Sequence, residues 1–174
     1  MPVYISLLRG INVSGQKKIK MEDLKKLYES LNFSNVLTYI QSGNIIFECK
    51  EEKLNVLSKI IEQGIKEEYN FDVKTLIKKP EDLKKILDKN PFGAEKVYVT
   101  FLFDVPKNIP LNELNNAKQE TEQIEIINDI VYFLCPESYG KTKLSNNFLE
   151  TKLKIPATTR NWNTVNKLLE MSIR

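Results

Sequence analysis

Hydrophobic positions along the chain switch between runs that suit a strand and spacings that suit a helix. Val3 to Leu8 is continuous, apolar and β-rich, the pattern of a buried strand. From Met21 to Leu31 apolar side chains fall at 21, 24, 27, 28 and 31, one stripe of a helix. Val36 to Ile40 and Ile45 to Phe47 read as strands joined by Gln41-Ser42-Gly43-Asn44, a hairpin turn because Gly and Asn tolerate positive φ. Leu54, Leu57, Ile60, Ile61 and Ile65 mark a second amphipathic helix over 51–69, and Asp72 to Ile77 reads as a fourth strand. The order βαββαβ predicts a ferredoxin-like lobe, one sheet with two helices on one face.

The second half opens in the same way. A short helix over 80–90 carries Pro at its start, where a missing N–H is harmless. Asn90-Pro91-Phe92-Gly93 then reads as a linker between lobes 1–90 and 91–174. Val97-Tyr-Val-Thr-Phe-Leu102 matches Val3-Tyr-Ile-Ser-Leu-Leu8 in apolar character. A helix near 111–119 follows, and Ile124 to Ile127 and Ile130 to Leu134 flank Asn128-Asp129 as another hairpin. Helices are expected over 144–153 and 161–171. The recurrence of strand, helix and hairpin in one order predicts an internal duplication. The fold expected is α+β, two ferredoxin-like lobes with antiparallel or mixed sheets and C-terminal helices.

Composition narrows the chemistry. The 174 residues include no histidine and two cysteines. That excludes Ser-His-Asp and Cys-His catalysis, zinc sites that need imidazole, and any four-thiolate zinc site. Catalysis would fall to carboxylates, Lys, Tyr, Ser or Cys, or to a magnesium ion held by carboxylates, so an enzyme acting without histidine on a phosphorylated small molecule stays open as a reading. No specific metal ligand set is picked out, and the sequence leaves any cofactor unknown. The sparse cysteines suggest reduced thiols and a cytoplasmic protein. No apolar run approaches the ~18 residues of a membrane span, so no membrane partner is expected.

The net charge of +3 is small, but its placement is uneven. Arg9, Lys17, Lys18 and Lys20 lie in one stretch without an acid. Lys141, Lys143, Lys152, Lys154 and Arg160 near the other end face only Glu150. Local excess favours a site over a generally basic surface.

Three segments could therefore bind. Arg9-Gly-Ile-Asn-Val-Ser-Gly-Gln-Lys-Lys-Ile-Lys20 lies between a strand and a helix, where ligands commonly sit in open α/β sheets. Its glycines let backbone N–H groups approach an anion, and Lys17 and Lys18 supply countercharge. The spacing is neither a Walker A motif nor GxGxxG, and a solvated connector would use glycines and lysines equally well. Gln41, Ser42 and Asn44 form a hairpin whose side chains could also reach a ligand. Tyr139-Gly-Lys-Thr-Lys143 leads into one helix. Thr158-Thr159-Arg160-Asn161-Trp162 is read as opening another, whose first-turn amides and Arg160 could hold an anion, or where Thr159 or Asn161 simply caps the helix. The candidate binding set is thus Arg9, Gly10, Asn12, Lys17, Lys18, Gln41, Ser42, Asn44, Thr159, Arg160 and Asn161.

The blocks Leu-Leu-Arg-Gly-Ile-Asn-Val-x-Gly (7–15), Tyr-Ile-Gln-Ser-Gly-Asn-Ile-Ile-Phe (39–47) and Ala-Thr-Thr-Arg-Asn-Trp-Asn-Thr-Val (157–165) together resemble the bacterial family known as domain of unknown function 1697. That resemblance implies a tandem ferredoxin-like fold and no particular activity. Ser14 departs from the pattern, standing where a second glycine is expected. The leading expectation is binding of an anionic ligand, whether a nucleotide, a phosphometabolite or nucleic acid. In the last case the strand aromatics Tyr4, Tyr39, Phe47, Tyr98, Phe101 and Phe103 would stack on bases, although no RNP1-like motif is present. A protein-interaction module, possible as a homodimer through a sheet face or edge, is the remaining reading.

Overall fold

Strand β1 (Val3–Leu8) lies inside its sheet, antiparallel to β3 (Asn44–Glu48) on one side and to β4 (Thr75–Lys78) on the other. Strand β2 (Ser34–Tyr39) pairs outside β3, giving the order β2-β3-β1-β4. Tyr4 to Leu8 of β1 are all buried, so both faces of the strand are covered, which is why it is apolar apart from Ser6 and does not alternate. Helices α1 (Met21–Ser30) and α2 (Leu54–Tyr69) bury Leu24, Tyr28, Leu57, Ile61 and Ile65 in one cluster with Tyr4, Leu8, Ile45 and Phe47 of the sheet. The Tyr28 ring meets Phe47 edge-on at 5.5 Å, and its hydroxyl shares a 2.8 Å hydrogen bond with Ser6 Oγ, so the buried phenol is satisfied.

The second sheet is built in the same way. Strand β5 (Val97–Leu102) runs antiparallel between β7 (Ile130–Leu134) and β8 (Ala157–Asn161), with β6 (Gln123–Ile127) outside β7. Helices α4 (Leu111–Ala117) and α5 (Asn146–Leu153) pack Leu114, Leu149 and Leu153 against Leu102, Val131, Phe133 and Ala157. A 3-10 turn (Tyr139–Lys141) precedes α5, whose cap is Ser145, its side chain accepting from Phe148 N at 3.2 Å. Helix α3 (Pro80–Asp88) follows β4, and α6 (Trp162–Ser172) follows β8.

This computed structural model describes residues 1–51, 53–93 and 95–173. It is an α+β protein with two four-stranded antiparallel sheets and six α-helices among the described residues. The chain divides into two compact units, Met1–Lys85 together with the chain from Lys167, and Ile86–Asn166. No helix among the described residues is long and apolar enough to cross a membrane.

Some expected boundaries shift. Thr158 to Arg160 do not open a helix: they lie in strand β8, paired with β5 through Thr158↔Phe101, Thr159↔Thr100 and Arg160↔Val99, and of the two caps expected it is Asn161 that precedes α6. Asn44 belongs to β3 and not to the turn, since it pairs with Leu7 on one side and Tyr39 on the other. The second helix begins at Leu54; of the turn expected before it, Glu52 lies outside the described residues. Helix α5 starts at Asn146 and not at Leu144, because Ser145 supplies the cap.

Candidate functional site

The connection from β1 to α1 is tightly coiled. Gly10 (φ 71°), Asn12 (54°), Ser14 (50°), Gly15 (73°) and Lys17 (46°) are all left-handed. Each non-glycine in that region costs about 1–2 kcal/mol, least for Asn. Ser14 thus adopts the conformation that a glycine would adopt without strain.

What holds the coil is Asn12. Its amide nitrogen donates to the carbonyls of Ile19 (2.9 Å) and Gln41 (2.8 Å), and its side-chain oxygen accepts from Ile19 N–H (2.9 Å). One side chain therefore ties the loop to itself and to the β2–β3 turn. Lys17 Nζ donates to the Asp72 carbonyl at 2.6 Å, and Arg9 N–H donates to the Lys74 carbonyl at 2.9 Å.

The turn is fixed against the loop. Gly43 has φ 81°, its carbonyl accepts from Leu8 N–H at 2.9 Å, and a Cβ there would stand 2.8 Å from both Leu8 Cβ and Ile11 Cδ1. Only glycine permits this approach. Asn44 is fully buried and donates to the Tyr39 carbonyl (3.0 Å) and Ser42 Oγ (2.9 Å). Ser42 and Asn44 therefore shape the turn with the groups one would have expected to meet a ligand.

Beside the loop is a cavity of about 650 Å³. Asn12, Lys18, Lys20, Asp23, Gln41 and Tyr69 line it, with Gly15 and Ile19 between them. Of the candidate binding residues in this unit, Asn12, Lys18 and Gln41 reach it, while Arg9, Gly10, Lys17, Ser42 and Asn44 do not line it. Among the described residues Lys18 and Lys20 have no carboxylate partner. Burial, then the negative charges of Asp23 and Glu68, push the Tyr69 phenol up, so it stays protonated at neutral pH. Sequence reasoning missed Asp23 and Tyr69. Asp23 carried only the ordinary signal of an acid in a helix's first turn, and Tyr69 enters because α2 ends there, its next residue Asn70 being left-handed.

Thr159, Arg160 and Asn161 lie in the second unit and serve its architecture. Thr159 Oγ1 bridges Thr100 Oγ1 (2.7 Å) and Asn146 Oδ1 (2.8 Å). Arg160 is buried, its Nη1 donating to Thr158 Oγ1 (2.6 Å) and the Thr159 carbonyl (3.0 Å), and burial lowers its pKa to about 10. Its backbone is committed to the β5 ladder opposite Val99, two residues before α6 begins at Trp162. Asn161 caps α6, accepting from Thr164 N–H at 2.8 Å.

Of the six aromatics expected to stack on bases, only Tyr39 and Phe103 are half-buried without a ring stacked on them among the described residues. Tyr4, Phe47 and Phe101 are buried, and the half-buried Tyr98 already stacks on Tyr139 at 4.4 Å.

The family described as Protein of unknown function (DUF1697) matches residues 1–132. Among solved structures the chain is similar to the conserved bacterial protein SP0830 from Streptococcus pneumoniae, 25% identical, with a TM-score of 0.71 over 98% of each chain. With most of its length matched by that family's model, the chain belongs to the DUF1697 family of proteins of unknown function.

Proposed function

We propose that the protein binds an anionic small molecule, a nucleotide or a phosphorylated metabolite, in the cavity beside the 9–20 loop. The observation that carries this reading is the joint placement of Lys18 and Lys20, without carboxylate partners among the described residues, on one concave wall. Its volume of about 650 Å³ falls inside the usual ~300–1,000 Å³ of ligand sites. Left-handed Ser14 and Lys17 give further support, since backbone strain of this kind concentrates at ligand clamps. Asn12 in the lining, with Gly43 and Asn44 outside it, holds the loop and the turn in shape through satisfied hydrogen bonds.

Each unit is also read as a ferredoxin-like lobe, and the pair as a duplication within a cytoplasmic protein. Support comes from the shared order βαββαβ and from matching strand orders, β2-β3-β1-β4 and β6-β7-β5-β8. The free thiols Cys49 and Cys135 suit a reducing compartment.

Calorimetric titration of nucleoside phosphates and sugar phosphates into the protein tests the binding reading. Lys18→Gln/Lys20→Gln should weaken the best ligand at least about tenfold, and added salt should weaken it too. Binding that ignores both changes, or no binding at all, defeats the reading.

A further inference from the structure

The cleft beside the 9–20 loop has a counterpart in the second unit. There the connection after β5 (Asp104 to Pro110), the third residue of α4 (Glu113) and the end of α5 (Leu153) line a cavity of about 570 Å³. In the first unit the same pieces recur: the connection after β1, the third residue of α1 (Asp23) and the last residue of α2 (Tyr69). The residue following each second helix, Asn70 or Lys154, is left-handed at φ 57°. The fold opens a hollow at one topological place in each unit, so the side chains that differ there carry the information about the ligand.

In the second unit Glu113 is held by Lys152 at 2.5 Å, and the position of Tyr69 is taken by Leu153. In the first unit Asp23 has only a looser 3.9 Å contact with Lys26, and Tyr69 supplies an aromatic ring. That ring stacks on Phe71, with centroids 5.8 Å apart and planes at 25°, which holds it in place. Asp23 and Tyr69 also border an adjoining hollow of about 490 Å³, so both stand where a ligand longer than an inorganic ion would pass. A bare phosphate gains nothing from the ring and is repelled by Asp23. A molecule carrying a phosphate, hydroxyl donors and a flat aromatic group uses every wall: Lys18 and Lys20 attract the phosphate, Asp23 accepts from the hydroxyls, and Tyr69 stacks.

We propose that the first-unit cleft selects nucleotides over non-aromatic phosphates, with Tyr69 as the stacking platform and Asp23 as the acceptor for sugar hydroxyls. This rests on the anion-binding reading of the same cleft and narrows it. The neutral phenol of Tyr69 adds no charge against the phosphate.

The test is calorimetric titration with AMP, UMP, ribose phosphate and inorganic phosphate as the four probes. Both nucleotides should bind roughly tenfold or more tightly than ribose phosphate. Tyr69→Leu should remove most of that preference and Tyr69→Phe should keep it, which separates stacking from a general loss of structure. Lys154→Gln, in the second cleft, should leave nucleotide binding unchanged. Ribose phosphate binding as tightly as the nucleotides, or a nucleotide preference that survives Tyr69→Leu, overturns the inference while leaving the anion reading standing. No binding of any probe overturns both.

Discussion

Asn12 spends both ends of its side chain on backbone, and does so from a left-handed conformation that Asn tolerates better than most residues. Asn12→Ala leaves the buried Ile19 N–H without its acceptor and forces Ala to φ 54°, so stability should fall by about 2–4 kcal/mol. Asn12→Gly restores the conformational freedom but not the hydrogen bonds, and should recover about 1 kcal/mol of that loss. Urea denaturation of the two variants measures this order; equal stabilities would mean the left-handed backbone contributes nothing. Gly43→Ala places a methyl 2.8 Å from Leu8 Cβ at φ 81°, and a loss of about 2–4 kcal/mol is expected in the same assay. The polar motif residues of the first unit are thus largely those that hold the cavity's shape. Their polarity was visible in the sequence, but their role was not, because a side chain that caps a loop and one that grips a ligand have the same composition.

Elements with a clear period were legible. The stripe at Leu24 and Tyr28, the run Val3 to Leu8 and the hairpin before Ile130 all stand where the pattern put them. Strand β8 was not legible, because Ala157-Thr-Thr-Arg-Asn161 has neither alternation nor an apolar run, and Trp162 with the apolar positions after it drew the segment into the helix. Two adjacent β-branched threonines, Thr158 and Thr159, soon after Pro156 were the available signal. Burial explains the unusual composition: Thr159 and Arg160 are satisfied by Thr100, Asn146 and Thr158, and a strand whose polar groups are paired within the fold need not be apolar. The junction with α6 depends on one cap. Asn161→Ala should cost about 1 kcal/mol and Asn161→Asp almost nothing, since the carboxylate still accepts from Thr164 N–H. Thermal unfolding of both variants checks it, and an Asp variant as weak as the Ala variant would assign the loss to something other than the cap. The cavity itself was legible only in half, through Asn12, Lys18 and Gln41. Asp23 and Tyr69 come to it from α1 and the end of α2, and nothing in their local sequence marks that meeting.

Each unit hides a tyrosine, and together they set how the protein responds to alkali. Burial drives the Tyr28 phenol well above its ordinary value of 10.0, and burial with the charge of Asp129 pushes Tyr132 up to about 12. A phenol whose pKa is raised on folding contributes stability that is complete below the unfolded value of 10.0 and is lost as pH rises through the folded one. Arg160 acts in the opposite direction. Its folded pKa, lowered by burial to about 10, means that the unfolded chain holds the proton longer, so stability from this group rises with pH above 10. Tyr69, Tyr98, Tyr139 and the Cys135 thiol are raised in the same direction, so the raised groups outnumber the one lowered guanidinium and stability should fall between pH 10 and pH 12. Tyr132→Phe isolates one contribution. It removes the 2.6 Å hydrogen bond from the Tyr132 hydroxyl to the Ile86 carbonyl, so at pH 9 the variant should be less stable than the parent by about 1–2 kcal/mol. It also has no phenol to ionise. The two stability curves, measured by urea denaturation at each pH, should therefore converge as pH rises from 10 to 12. Curves that stay parallel would show that Tyr132 does not titrate in that window, and the alkaline loss would then belong to Tyr28 and the other raised groups.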